Sequence, residues 1–209
     1  MKWWVVGIII VTIIGIIIFR PDTTDDTDKT YTVKRVIDGD TLVIDNNQLV
    51  RLANIDAPEK GLCGFDEAKN ELEKMVLNKK ITIEGDTNDK WGRLLVTVWV
   101  NKEMINEKIV KSGWVRYDSQ GKNKYLQDVD NAVEKEKKGI YGKCVEETNN
   151  VKPNCLIKGN NRNGNKIFVK PGCKNYSITD IATDQGDQWF CSEAEAVEAG
   201  YKKALNCML

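Results

Sequence analysis

The sequence predicts an α+β protein that combines short β-strands with a few amphipathic helices. Three observations support this prediction. Apolar, β-branched runs separated by turn residues dominate residues 32–100. Segments with helical spacing lie between or after these runs. The segment from residue 155 to the end is rich in Asn, Gly and Cys and is too small to bury a core of its own without crosslinks.

The strand predictions rest on β-branched and apolar runs bounded by turn signals. Asp38-Gly39-Asp40 is a turn signal, since Gly tolerates positive φ. Gly92, before Arg93, marks a second tight turn. The predicted strands cover residues 32–37, 41–44, 49–55, 81–84, 94–100 and 114–117.

The helix predictions rest on apolar residues at helical spacing and on end signals. Acidic residues lead the first helix and lysines follow it, which matches the helix dipole. Gly113 ends the second, and a capping box at Ser192 opens the last. The predicted helices cover residues 69–77, 104–112, 125–138 and 192–204.

The N-terminus predicts a membrane anchor. Residues 3–19 carry no charge, and 17 helical residues span about 26 Å, close to a bilayer core of roughly 30 Å. No small-residue cleavage site follows, which favours an uncleaved signal anchor over a removed signal peptide. Lys2 and Arg20 nearly balance each other, so the orientation depends on the cysteines, which belong in an oxidising compartment.

Composition limits the chemistry. The chain of 209 residues has no His, and its 31 basic and 31 acidic residues cancel. Histidine bases, nucleophiles and metal ligands are therefore excluded. The strongly basic surface of a tight duplex-DNA binder is missing as well. Any nucleic-acid contact should be local, in a cleft.

Residues 36–59 (VIDGDTLVIDNNQLVRLANIDAPE) hold the most informative charges. The turn residues at 45–47 predict a hairpin that brings Asp56 back beside Asp40. Carboxylates at one rim form a hard-oxygen site suited to Ca²⁺. The neighbouring Arg51 indicates that a phosphate is bound there.

Four motifs in register resemble the staphylococcal nuclease family: VIDGDT, RLANIDAPE, DKWGR and NEKIVKSGW. The resemblance covers residues 31–144. It implies a five-stranded OB-type β-barrel with three helices that cleaves DNA and RNA with Ca²⁺. We therefore divide the chain into an anchor (1–20), an acidic stalk (21–30), a nuclease-like domain (31–145), a linker (146–154) and a small Cys-rich module (155–209).

The resemblance implies a Ca²⁺ site and a catalytic group by position. Asp40 and Asp56 correspond to the carboxylate ligands of Ca²⁺. Ala57 corresponds to the residue that supplies a backbone carbonyl, where the family often has Thr. Glu59 corresponds to the catalytic glutamate.

The same resemblance implies the phosphate and nucleotide contacts. Arg51 and Arg93 correspond to two phosphate-binding arginines. Lys90 and Trp91 correspond to a lysine and an aromatic residue beside the nucleotide, and the indole keeps base stacking possible.

The chemistry agrees with these roles. A phosphodiester gains negative charge as water adds to phosphorus, and bidentate guanidinium groups such as Arg51 and Arg93 stabilise that charge. With no histidine in the chain, Glu59 is the natural group to orient or deprotonate the water.

The cysteines are predicted to form three disulfides. Cys63 follows the site and Cys144 follows the last helix of the nuclease-like domain, and we expect them to be bonded. The tail resembles a small module found after nuclease domains of this type, for which we predict Cys155–Cys207 and Cys173–Cys191. Four cysteines allow three pairings. A Cys₄ zinc site is the competing interpretation, disfavoured by the isolated spacing of each cysteine.

Two functions are compatible with the sequence. The first is an exported, calcium-dependent endonuclease anchored in the cell membrane, or secreted if the N-terminus is cleaved, which leaves 3′-phosphates. The second is a surface module that captures nucleic acid without cleaving it. The enzyme is favoured because all five charged positions of the family's site are filled in this chain, by Asp40, Arg51, Asp56, Glu59 and Arg93. We expect a monomer with no protein partner and a preference for single strands.

Overall fold

The computed structural model describes residues 29–118, 120–146, 154–162 and 164–207. The predicted anchor, nearly all of the acidic stalk and most of the linker lie outside these residues. Within the described ranges, no helix is both long enough and apolar enough to cross a bilayer.

The first region, residues 29–146, is an OB-like α+β domain, as predicted, but its main sheet has six strands where a five-stranded barrel was expected, and four helices are described where three were expected. Its strands are β1 (Thr30–Val36), β2 (Thr41–Ile44), β3 (Leu49–Leu52), β4 (Ile55–Asp56), β5 (Lys80–Asn88), β6 (Leu94–Val100), β7 (Glu103–Met104), β8 (Arg116–Tyr117) and β9 (Val145–Glu146). Its helices are α1 (Phe65–Val76), α2 (Ile105–Ser112), α3 (Lys124–Lys135) and α4 (Ile140–Lys143).

Six of these strands form one sheet in the order β3-β2-β1-β5-β6-β7, and β3 also pairs with β6 in parallel. The sheet therefore curls until its first strand meets its fifth. The run predicted as one strand over 49–55 is broken at Asn54, which has a φ of 62°. The break releases β4 to pair with β8 in a separate two-stranded ribbon.

The core lies between the curled sheet and helices α1 and α2. Residues alternate along β6, where Val96, Val98 and Val100 are buried. All four residues of β2 are buried. Helix α1 contributes Ala68, Leu72 and Val76 to the same cluster. This burial explains why the apolar runs of the sequence became strands and helix faces.

The second region is the Cys-rich module, whose described residues begin at 154. A four-stranded sheet in the order β13-β10-β11-β14 carries a short helix, α5. The elements are β10 (Ile157–Arg162), β11 (Asn165–Val169), β12 (Ile181–Ala182), β13 (Gln188–Phe190), α5 (Glu193–Glu198) and β14 (Lys202–Lys203). Strand β12 pairs instead with β9 of the OB-like domain.

Helix α5 begins at the predicted cap but is shorter than predicted. The Ser192 hydroxyl accepts a hydrogen bond from Glu195 N at 3.2 Å, and Glu195 Oε2 accepts one from Cys191 N at 2.8 Å. The helix ends at Glu198 because Gly200 turns the chain with a φ of 85°. The prediction of a helix to residue 204 was therefore wrong.

One of the three predicted disulfides is confirmed. Cys63–Cys144 forms as expected. The two pairings predicted for the module, Cys155–Cys207 and Cys173–Cys191, are wrong: the bonds are Cys155–Cys191 and Cys173–Cys207. Because Ile157 of β10 pairs with Phe190 of β13, Cys155 lies near Cys191.

Candidate active site

Three short segments of the OB-like domain bring the predicted charged residues together. Asp40 lies directly before β2, Arg51 lies in β3, and Asp56 ends β4. The turn that presents Asp40 is fixed by Asp38, whose Oδ1 accepts hydrogen bonds from Asp40 N at 3.0 Å and Thr41 N at 2.8 Å. The predicted hairpin therefore places its two acidic ends side by side.

Arg51 lies at the centre of the cluster. Its Nη2 is 3.0 Å from Asp40 Oδ2 and 3.0 Å from Asp56 Oδ1. Its Nη1 donates to the carbonyl of Ile55 at 2.9 Å. The guanidinium therefore joins the two carboxylates that sequence analysis assigned to a metal ion.

Asp40 is a buried carboxylate with few positive charges around it. It is 5% exposed, and it accepts hydrogen bonds from Thr41 Oγ1 at 2.7 Å and from Ala57 N at 3.1 Å. Burial is the main effect on its pKa, and it outweighs the opposing charge of Arg51 and raises the pKa to about 7. A further cation at this position would relieve that cost.

Asp56 occupies the rim of the site, where its side chain is 59% exposed. Desolvation on its protein side raises its pKa, the charges of Asp118 and Glu59 add to the rise, and Arg51 opposes it. Glu59 is exposed and close enough to act on Asp56. Asp118 and Glu59 therefore add negative charge around Asp56 at the rim of the site.

Arg93 reaches the cluster from the turn between β5 and β6. Its Nη1 donates to Thr41 Oγ1 at 3.3 Å, and that hydroxyl donates to Asp40. Asp89 aims the side chain: its Oδ2 accepts from Arg93 Nε at 2.6 Å, and its Oδ1 accepts from Arg93 N at 3.0 Å and Trp91 N at 2.9 Å. Gly92, with a φ of 79°, permits this tight turn.

Lys90 and Trp91 extend the site outward along the same turn. The Trp91 side chain is exposed, at 68%. Lys90 Nζ lies 4.2 Å and Arg93 Cζ 5.0 Å from the centroid of the indole ring. The turn therefore presents an aromatic face beside two positive charges, an arrangement that suits a nucleic-acid base next to a phosphate.

Gly39 is required for a reason that the sequence did not suggest. The expected positive φ is not observed at this position. A Cβ on Gly39 would instead lie 2.5 Å from the Cβ of Ala68 and 2.9 Å from the Cβ of Ala57. The glycine thus allows the Asp40 turn, helix α1 and the Ala57 segment to pack closely.

Three residues that act on the site were not among the predicted site residues: Thr41, Asp89 and Asp118. Asp89 had a recognisable signal, because an Asp two or more residues before a Gly commonly accepts hydrogen bonds from the backbone of its own turn. Asp118 had none, since it reaches Asp56 only through the pairing of β4 with β8.

The residues present fit a calcium ion. Asp40 and Asp56 offer hard oxygen ligands, and both face one nitrogen of Arg51 at 3.0 Å. Among the described residues, no group of three or more Asp, Glu, His or Cys side chains could hold a metal ion. Asp40 and Asp56 are therefore the two carboxylates that could hold such an ion.

The fold and the site together define an OB-like protein with a cluster of carboxylates and guanidinium groups. The family model described as "Staphylococcal nuclease homologue" matches residues 49–143. The chain is 38% identical over 109 residues to a thermonuclease from Staphylococcus intermedius. The aligned residues make up 47% of this chain and 65% of that protein.

Two further relatives are also named as nucleases. A thermonuclease from Staphylococcus hyicus is 35% identical over 54% of this chain and 76% of its own length. An uncharacterized endonuclease from Haemophilus influenzae is 34% identical over 51% of this chain and 64% of its own length. The chain belongs to the staphylococcal nuclease family. It spans less than two thirds of the S. intermedius relative.

Proposed function

We propose that this protein is a calcium-dependent endonuclease that hydrolyses phosphodiester bonds of DNA and RNA and leaves 3′-phosphates. The observation that carries the proposal is the cluster in which Arg51 joins Asp40 and Asp56 while Arg93 reaches Asp40 through Thr41. The relatives named as thermonucleases and endonucleases support the same reaction class.

Asp40, Asp56 and the carbonyl of Ala57 would hold the ion. When bound, Ca²⁺ supplies a Lewis acid for a phosphate oxygen and a site for water. Arg51, which lies between the two carboxylates, would donate to the phosphate. Arg51 and Arg93 stabilise the charge that develops on the phosphoryl oxygens.

Glu59 acts as the base that orients and deprotonates the attacking water. It is exposed at the rim beside Asp56, and the chain has no histidine to take this role. The proton leaves the water for the Glu59 carboxylate as the oxygen bonds to phosphorus. The leaving alkoxide separates from the phosphate as the 5′-hydroxyl, once protonated from solvent.

Lys90 and Trp91 hold the nucleotide beside the scissile phosphate. The exposed indole offers a stacking face, which a base in a single strand can reach more readily than a paired base. The zero net charge favours the same substrate, since a duplex would need more phosphate contacts.

The setting we propose is extracytoplasmic. Residues 3–19 would anchor the chain in the cell membrane, with release into the medium if the segment is cleaved. Three disulfides support an oxidising compartment. A monomeric state without a protein partner stays a prediction.

The test is cleavage of single-stranded DNA by the oxidised full-length chain, with Ca²⁺ and with EDTA. We expect EDTA to abolish cleavage and Glu59→Ala to lower kcat by roughly 10²–10⁴-fold. Glu198→Ala, an exposed substitution in α5, is the matched control and should cleave normally. DNA binding without cleavage by the wild type in Ca²⁺ would leave only the capture function.

A further inference from the structure

The Cys-rich module contacts the OB-like domain through the pairing of β12 with β9 and through the short turn that follows β12. Residues Thr183–Gln185 form a single 3₁₀ turn that Gly186 ends with a φ of 79°. We call residues 183–186 the clamp turn. A cavity of about 650 Å³ lies beside it, lined by Arg116 and Tyr141 of one region and by Arg162 and Gln185 of the other. The two regions therefore meet at a limited set of contacts.

The first contact is an ion pair with Arg116 of β8. Asp184 is 4% exposed, and its carboxylate accepts hydrogen bonds from Arg116 Nε at 2.6 Å and Nη2 at 3.0 Å. This bidentate geometry fixes the guanidinium in one plane. Arg116 also lies over the ring of Tyr141, at 4.4 Å from the centroid.

Arg116 is one strand away from the candidate metal ligand Asp56. In the ribbon of β4 with β8, Asp56 is the cross-strand partner of Arg116. Each strand of this ribbon is two residues long, and the ribbon is a separate two-stranded sheet. A ribbon this short has little stability of its own, so the anchored Arg116 restrains the backbone that presents Asp56.

The second and third contacts reach the loop that follows Glu59. Thr183 donates from both N and Oγ1 to the carbonyl of Cys144 at 2.8 Å. Cys144 is bonded to Cys63, and the intervening Leu62 donates from N to the carbonyl of Glu59 at 3.0 Å. A Cβ at Gly186 would lie 3.8 Å from Cδ1 of Leu62, so the clamp turn also covers this loop.

We infer that the module is a part of the active site's supporting structure, and that Asp184 is a positioning residue that acts through Arg116 on Asp56. The inference rests on the proposed function for its catalytic consequence. Its structural consequence, a restrained β4–β8 ribbon and 59–63 loop, does not depend on calcium.

The test compares Asp184→Asn with the wild type as full-length, oxidised chains. The near-isosteric change removes the charge and one acceptor from Arg116. Without metal, we expect faster hydrogen–deuterium exchange in peptides covering residues 55–63 and 114–118. With metal, we expect the affinity for Ca²⁺, measured by calorimetry, to fall about tenfold. Cleavage should show a lower kcat with little change in the KM for DNA.

Two further variants keep the inference falsifiable if Asp184→Asn folds poorly. Arg116→Lys keeps the positive charge but loses the bidentate geometry, and it should loosen the same peptides. Glu193→Gln breaks ion pairs with Lys170 and Lys203 within the module. It is the matched control and should leave both exchange and Ca²⁺ affinity unchanged.

The possible outcomes distinguish a failure of the inference about the clamp turn from a failure of the proposed nuclease function. If residues 55–63 and 114–118 exchange in Asp184→Asn at the same rate as in the wild type, the inference about the clamp turn is wrong, whatever the activity. Equal losses of Ca²⁺ affinity in Asp184→Asn and Glu193→Gln would also overturn it. If the wild type fails to cleave but Asp184→Asn still speeds exchange in these peptides, the proposed function is wrong and the inference about the clamp turn holds.

Discussion

The OB-like domain and the Cys-rich module hold themselves together by different means. Among the described residues, the OB-like domain buries a continuous cluster of 18 apolar residues and contains one disulfide. The module buries a cluster of five, Ile157, Phe168, Phe190, Ala196 and Tyr201, and contains two disulfides. Burial of apolar surface stabilises the first, whereas crosslinks and polar networks supplement it in the second.

The same contrast appears in their buried carboxylates. Asp40 of the OB-like domain accepts from Thr41 and Ala57 beside one guanidinium, and burial raises its pKa. Asp187 of the module accepts from Asn161 N at 2.7 Å, from Ala182 N at 3.1 Å, and from Asn160 and Arg162. A carboxylate surrounded by donors supports structure, while one short of them is suited to bind a cation.

The largest effect that we predict is the loss of the module when Cys155 and Cys191 are both changed to Ser. Closing the loop between them, a separation of 36 residues, is worth about 4 kcal/mol in the chain-entropy model. A five-residue core cannot replace that amount. Limited proteolysis should cut the module and leave the OB-like domain intact.

The matched control is the double change of Cys63 and Cys144 to Ser. That bond closes a separation of 81 residues, with a similar cost of about 4–5 kcal/mol, but the 18-residue core should keep the OB-like domain folded in native buffer. A module that resists protease without its Cys155–Cys191 bond would show that its polar network is sufficient.

The next prediction contrasts the two buried carboxylates in EDTA. Asp187→Asn should lower the free energy of unfolding by about 3 kcal/mol, because it removes a buried charge that several donors bind and leaves some of those donors unmatched. Asp40→Asn should raise it by on the order of 1–2 kcal/mol at pH 8, because a poorly compensated buried charge is removed. Denaturant titration of each variant measures both.

The ionisation of Asp40 should make the free energy of unfolding depend on pH. The pKa of Asp40 rises from 3.8 to about 7 on folding. Between these values, the folded protein holds a proton that the unfolded chain has released, so the free energy of unfolding falls as pH rises. Asp40→Asn should flatten that slope. An unchanged slope would mean that Asp40 is not the group that titrates.

The smallest effect concerns the exposed aromatic residue Trp91. Trp91→Ala should raise the KM for single-stranded DNA roughly fivefold, about 1 kcal/mol of stacking, without changing stability. Trp91→Phe keeps a stacking face and is its control. Phe190→Ala, which removes an edge-to-face contact with Tyr201 at 5.0 Å, should destabilise the module and leave KM unchanged. A KM that ignores Trp91→Ala would remove this residue from the substrate site.

Much of the OB-like domain could be predicted because its signals are local. The apolar, β-branched runs at 94–100 and 41–44 predicted β6 and β2 with their observed bounds. The turn at 45–47 was enough to bring Asp40 beside Asp56. The module's strands were not predicted, since β10 mixes polar and buried residues, including the buried Lys158, and carries no clear alternation.

Local patterns in the sequence were sufficient to predict the residues of the candidate site and the hairpin that joins them, because charged motifs and turn residues act over a few positions. Long-range packing was needed to specify the pairing of Cys155 with Cys191, the break at Asn54 that frees β4, and the contact of Asp184 with Arg116. Each depends on which strands become neighbours. Strand pairing joins residues far apart in the chain, so no local pattern specifies these contacts.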